Sequence, residues 1–240
     1  MAYVRLASGY RPGGPNTQAA QFDFPPSYKP DKTYNYEIGV KADLLDHRLS
    51  ADASLYYIDW KDMQFTVYNP DNYQAYVTNA GGAKSQGVEL AVQARPVQSL
   101  TLKGWVTWAD VKLTSDIPPN SAASAPAGSR LPYSTRFSGN LSFDERFPIA
   151  TETTGFVGAM VSYVGEREGE FSGAGTPRQT FPAYTKTDLR AGFEHSSWTG
   201  ELYVTNLTDR RGIIGGGVYP PFAFTYIQPR TMGVQVAKQF

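Results

Sequence analysis

Two histidines, His47 and His195, and no cysteine occur among the 240 residues. The missing thiols remove disulfides, zinc–thiolate sites, iron–sulfur clusters and cysteine nucleophiles. A Ser–His–Asp constellation would have to use an imidazole from Leu45-Asp46-His47-Arg48 or from His195-Ser196-Ser197, two short polar segments far apart in the chain. Both histidines read as solvated turn residues. Asp59-Trp60-Lys61-Asp62 sets carboxylates beside an amine, but its place near the top of a predicted strand fits an interfacial anchor with lumen charges. Arg167 among Glu166, Glu168 and Glu170 reads as a solvated loop face. The pairs Gly13-Gly14 and Gly81-Gly82 and the run Gly215-Gly216-Gly217 lack the strand–helix context of a phosphate loop and suit turns and strand kinks. No catalytic residue, metal centre or cofactor is expected. The balance of 22 Lys+Arg against 22 Asp+Glu argues against a nucleic-acid partner.

The elements that carry these residues repeat every second position, which is the strand period. Segment 34–44 sets Tyr34, Tyr36, Ile38, Val40, Ala42 and Leu44 against Asn35, Glu37, Lys41 and Asp43. Segments 49–57, 88–95, 100–108, 136–143 and 187–194 alternate as cleanly, and 2–8, 155–164, 198–206 and 225–240 less so. About ten strands follow. Gly or Pro interrupts every longer window, so no helix is expected. Short connections at 45–48, 95–98, 147–150 and 195–197 alternate with long ones near 9–33, 67–75, 113–131, 166–181 and 208–224. The pattern predicts an all-β, antiparallel up-and-down meander with turns on one rim and loops on the other. The chain starts in mid-strand, as a fragment of a larger protein would.

Periodicity leaves two solvents open for the apolar parity, a dry core or lipid. Three features favour lipid. Aromatics sit at the ends of the apolar parity: Tyr57, Trp108 and Tyr163 beside the long loops, and Phe193 and Trp198 beside the short turns. Such rings form the girdles of an outer-membrane barrel. The middle of that parity holds small residues (Ala51, Ala53, Gly104, Ala159, Ala191), which lipid fills and a packed core does not. Segment 49–57 at about 3.3 Å per residue and a tilt near 40° covers roughly 20 Å of height, close to an apolar band. The opposite parity carries Asp52, Glu89, Lys103, Asp188 and Arg190, which need water. A soluble β-sandwich binding module and a complete small barrel (porin or adhesin) remain alternatives.

Six segments, in order, resemble the C-terminal part of the β-barrel of a TonB-dependent outer-membrane receptor of the siderophore-receptor type. They are Ala7-Ser-Gly-Tyr-Arg-Pro-Gly-Gly-Pro-Asn16, Tyr36 to Gln64 with its hairpin, Asn79-Ala-Gly-Gly-Ala-Lys-Ser-Gln-Gly-Val-Glu-Leu90, Leu131-Pro-Tyr-Ser134, Tyr203-Val-Thr-Asn-Leu-Thr-Asp209 and Gln228-Pro-Arg-Thr-Met-Gly233. The resemblance implies that residues 1–240 are the last ten strands of a transmembrane barrel in the cell outer membrane of a Gram-negative bacterium. The plug domain and N-terminal strands would then lie outside this chain, and the isolated piece would form a curved open sheet. It implies energy-dependent uptake of a ferric siderophore or similar scarce nutrient. The partners would be outer-membrane lipid, the plug, the TonB energy-transducing complex and the outer-membrane assembly machinery. That machinery would read Phe240 as a terminal aromatic signal, although Lys238 stands where the family often has another aromatic. An anionic metal complex calls for guanidinium forks and rings on the long loops. The candidates are Arg11, Tyr73, Tyr76, Arg130, Tyr133, Arg167 and Arg178.

Overall fold

The computed structural model describes residues 1–69, 71–119, 124–171, 178–216 and 223–239. Ten strands form one antiparallel sheet: β1 (Ala2–Arg11), β2 (Asp31–Leu44), β3 (Leu49–Lys61), β4 (Gly82–Val97), β5 (Leu100–Leu113), β6 (Phe137–Ala150), β7 (Thr153–Val164), β8 (Tyr184–His195), β9 (Trp198–Thr205) and β10 (Thr231–Lys238). Their order in the sheet is their order in the chain, so the sheet is the expected meander. It is open: within it, β1 pairs only with β2 and β10 only with β9. The edge pairing that a closed ten-stranded barrel needs is not made.

Register joins the apolar parity of every strand into one face. Ile38 lies opposite Leu55, which faces Val88, which faces Trp108 and then Phe137. At the other end Leu189 faces Val204 and Met232. This face stays uncovered: Leu55 is 55% exposed, Leu202 62% and Val234 71%. No second layer packs on it among the described residues, and the sandwich alternative falls with that observation.

The other face carries charge in cross-strand pairs. Arg146 grips Glu194 through two bonds of 2.8 and 3.0 Å, and Lys41 reaches Asp52 at 2.7 Å. Arg190 pairs with Asp144, two strands away, and with Glu201 at 3.5 Å. Gly158 lies on β7 between them. A Cβ there would meet Arg190 Nε and Asp144 Oδ1, each at 2.9 Å, so only glycine lets the pair bridge three strands. Tyr3 lies over Gly39 in the same way, a ring covering a bare strand position.

Among the described residues, the one cluster of buried apolar side chains lies under the long loops. Met63, Ala83, Leu113, Ile117, Ala125 and Phe171 form it, with Trp60, Phe65 and Leu131 packed against them. Trp60 therefore belongs to the loop core and is not an interfacial anchor.

Several boundaries differ from expectation. Residues 147–150 are strand, and the turn is Thr151-Glu152 with Glu152 at φ 58°. Pro148 reads as a breaker, but β5 ends its pairing opposite Glu145. Beyond that point β6 is an edge, where a missing N–H costs no ladder bond. Pro96 lies likewise within β4, at a register shift between Ala94 and Val97. On the loop side the strands run past the apolar band, where alternation fades. Residues 224–226 leave the last predicted strand to pair with Ile213–Gly216. One unexpected helical turn, Ala19–Phe22, sits in the first long loop.

The two faces predict opposite responses to charge. Leu90→Arg places a guanidinium in hydrocarbon and should cost about 2–4 kcal/mol. The adjacent Ala91→Arg, beside Asp52 on the wet face, should stay within about 0.5 kcal/mol. Urea unfolding in lipid vesicles, followed by tryptophan fluorescence, measures both.

Candidate functional site

Long loops leave the sheet between β1 and β2, β3 and β4, β5 and β6, β7 and β8, and β9 and β10. Side-chain amides hold their bases. Asn16 donates to Pro25 O and Val77 O at 2.9 Å each and accepts from the Val77 N–H at 3.0 Å, joining the first two loops. Asn79 donates to Lys29 O at 2.9 Å and Asp62 O at 2.7 Å, and accepts from the Lys29 N–H at 2.6 Å. Asn206, 1% exposed, donates to Arg210 O and Gln228 O at 2.9 Å each and accepts from the Arg210 N–H at 2.8 Å. Its φ of 52° suits an Asx residue better than a bulkier one. Asp209 accepts from the Arg230 N–H at 2.9 Å. That bond is the main reason its carboxyl is held below the usual carboxylate range. These asparagines lie inside the recognised segments, and sequence reasoning missed their role. Their signal was the Asx type beside Gly, Pro or Asp at a strand end.

The seven ligand candidates fall into two groups. Arg11, Tyr73 and Tyr76 belong to the first two loops. Arg11 Nε donates to Asp31 at 3.0 Å and its Nη2 at 2.5 Å, on a carboxylate that is 3% exposed. Tyr76 stacks on Phe24 with centroids 4.6 Å apart. Tyr73 stands at φ 56°, 79% exposed.

Arg130, Tyr133, Arg167 and Arg178 belong to the loops after β5 and β7. Arg178 donates to Glu168, to Arg130 O at 2.8 Å and to Gly169 O at 2.6 and 3.2 Å, and lies 4.6 Å from the Phe171 ring centroid. Burial lowers its pKa, against the opposing charge of Glu168. Arg130 Nη1 donates to Glu166 O at 3.4 Å. Tyr133 stacks on Phe181 at 5.8 Å and donates to Glu170 at 3.4 Å, and burial, then the Glu170 charge, raises its hydroxyl pKa. Arg167 is not on a solvated face. It is 7% exposed, donates to Ile213 O, and lies 5.9 and 5.6 Å from the Phe181 and Tyr184 ring centroids. These guanidiniums are engaged by carbonyls, carboxylates and rings of the loops themselves. Tyr73, Glu166, Glu170 and the outer part of the Arg11 side chain remain exposed among these loops.

The apolar face is edged by rings. Tyr57 lies 6.3 Å from Tyr36, Trp108 faces Phe137 in register, and Tyr163 lies 5.8 Å from Phe137. At the short-turn rim Phe193 and Trp198 are 48% and 47% exposed. Phe240 falls outside the described residues. His47 bonds Asp43 on its own turn, and His195 bonds Thr153 at 2.8 Å. No cluster of three metal-ligating side chains occurs among the described residues.

A family model described as TonB dependent receptor-like, beta-barrel, matches residues 1–207. The metal-pseudopaline receptor CntO of Pseudomonas aeruginosa is 32% identical over 210 residues, 87% of this chain and 27% of that protein. The pesticin receptor of Yersinia pestis is 29% identical over 217 residues, again 87% of this chain and 29% of that one. The siderophore receptor PiuA from Acinetobacter baumannii superposes with a TM-score of 0.75 at 19% identity, over 98% of this chain and 33% of its own. The chain thus spans about a quarter to a third of the length of the proteins it matches.

The amide clamps are testable apart from the sheet. Asn206→Ala orphans a buried N–H and two carbonyls and should cost at least about 2 kcal/mol locally. Protease should then cut within 206–230 faster, with the sheet's heat-resistant gel migration unchanged. For Asp209 the folded pKa is depressed, so its support is present above the ordinary carboxylate pKa of about 3.9. The support fades as pH falls through the lowered value. Protection of the Arg230 amide from hydrogen exchange, relative to an unstructured chain at the same pH, should be high at neutral pH, lost in strong acid, and absent at every pH in Asp209→Ala.

Proposed function

This chain belongs to the TonB-dependent receptor β-barrel family, and we propose that it is one sector of an outer-membrane receptor that takes up a scarce metal as its complex with a small organic chelator. Its place is the outer membrane of a Gram-negative bacterium. In this reading the ten strands are the C-terminal part of a larger barrel that also holds a plug domain, and both free sheet edges pair with further strands. The protein transports without chemical conversion of its cargo and has no enzyme activity. Movement inward is driven by the TonB energy-transducing complex. The ring-edged apolar face sits in lipid, with Tyr57, Trp108 and Tyr163 at one interface and Phe193 and Trp198 at the other. Phe240 serves the assembly machinery.

The observation that carries the reading is the identity shared with the metal-pseudopaline receptor through both sheet and loops. Among the seven candidates, Tyr73, Tyr133 and the half-exposed Arg11 are best placed to touch cargo, because they reach the surface. Arg130, Arg167 and Arg178 set the shape of the loops that present them.

A strain lacking the gene should fail to grow on one particular metal–chelator complex as sole metal source. Growth should return with the intact gene, and uptake of radiolabelled metal should stop when a protonophore collapses the proton gradient. Tyr73→Ala and Tyr133→Ala should raise the half-saturating complex concentration severalfold. Arg178→Ala should instead lower the amount of folded receptor. Uptake indifferent to the gene across a panel of iron, zinc, nickel and cobalt complexes would contradict the proposal.

A further inference from the structure

Across β6 to β10 the uncovered face sinks into a groove of about 710 Å³. Ala159 and Ala191 lie in its floor, and Phe143, Leu202, Met232 and Val234 line it. The hollow follows from register. Ala159 sits between Phe143 and Leu189, and Ala191 between Val157 and Leu202, so small and large positions meet across neighbouring strands. Phe143, Leu189, Leu202, Met232 and Val234 are 40–71% exposed, and Val157, Ala159 and Ala191 share their face by register. Water has no reason to fill such a hollow, and nothing among the described residues does.

The same face carries a cation at the short-turn rim. Val234, Val236 and Lys238 alternate outward along β10, and Lys238 lies opposite Trp198. Its Nζ lies 5.1 Å from the centroid of the Trp198 ring. From Val234 to Lys238 is four residues, about 13 Å of strand, or roughly 10 Å of height at a tilt near 40°. That lies within one leaflet of an apolar band of about 25 Å. A basic group at the interface and a hydrocarbon slot within one leaflet of it match the two ends of one lipid.

We propose that this groove is a binding site for an anionic phospholipid of the periplasmic leaflet, its phosphate at Lys238 and an acyl chain along Ala191 and Ala159. The leaflet follows from the rim: short turns mark the periplasmic side of such barrels, so the source is phospholipid and not the lipopolysaccharide of the outer leaflet. The ring of Trp198 holds the ammonium at headgroup depth. The small floor residues accept the chain without displacing any protein atom. The inference concerns the lipid face alone and stands whichever cargo the loops receive.

The test uses the protein extracted from outer membranes, stripped of lipid in detergent and titrated with phosphatidylglycerol or phosphatidylethanolamine under native mass spectrometry. Phosphatidylglycerol should remain bound preferentially. Lys238→Gln should weaken it about fivefold, the weight of one basic side chain near an anionic headgroup, and weaken phosphatidylethanolamine, whose own ammonium offsets its phosphate, by less. Ala191→Phe fills the slot and should reduce both lipids. Ala159→Leu is the second filling variant, and heat-resistant gel migration confirms that each variant is folded. Equal retention of the two phospholipids, unchanged binding in folded variants, or lipid A as the species that copurifies and competes would each overturn the assignment.

Discussion

The structure depends on one constraint: a single layer of strands must meet hydrocarbon on one side and water on the other. Neither solvent tolerates the residues suited to the other. The strand pleat meets this demand without a second layer, because alternate side chains point to opposite faces. Cross-strand register then extends the separation over all ten strands, from Val4 opposite Ile38 to Leu202 opposite Val234. Backbone groups find their partners in the ladders, which matters most where no water reaches.

Given that constraint, the remaining features have local causes. Arg190 and Asp144 can pair across an intervening strand only because Gly158 offers no side chain there. The wet face is therefore tied by ion pairs and by rings over glycines, while the lipid face needs only apolar surface of the right height. Among the described residues, a conventional hydrophobic cluster forms around Leu113 and Ile117 beneath the loops. The loops are in turn held by amides and guanidiniums that spend their hydrogen bonds on loop backbone.

Much of this was legible in the sequence because the two-solvent demand writes itself as a period of two. Tyr36 to Leu44 and Leu49 to Tyr57 show both faces in plain alternation, and their hairpin turn fell where expected. Legibility failed where the demand lapses. Past Tyr57 and Trp108 both faces are wet or loop-covered, so the strands continue with no alternation to mark them. Pro96 and Pro148 read as turns because a proline's cost depends on whether its missing N–H faces a neighbour, which sequence does not disclose. The seven ligand candidates were chosen by residue type. Type does not reveal that Arg11 is committed to Asp31 or that Arg167 lies beneath Phe181 and Tyr184. The asparagine clamps went unread because a buried amide and a solvated loop amide look identical in a sequence.

The chain has no native cysteine, so single cysteines can be placed along β3 and spin-labelled after reconstitution in lipid vesicles. Collision rates with molecular oxygen, which concentrates in hydrocarbon, and with a water-soluble nickel chelate report the medium at each position. Labels at 51, 53 and 55 should favour oxygen and those at 50, 52 and 54 the nickel chelate, alternating strictly with residue number. A flat profile, or oxygen access on the Asp52 side, would contradict the division of solvents on which the fold and its membrane role rest.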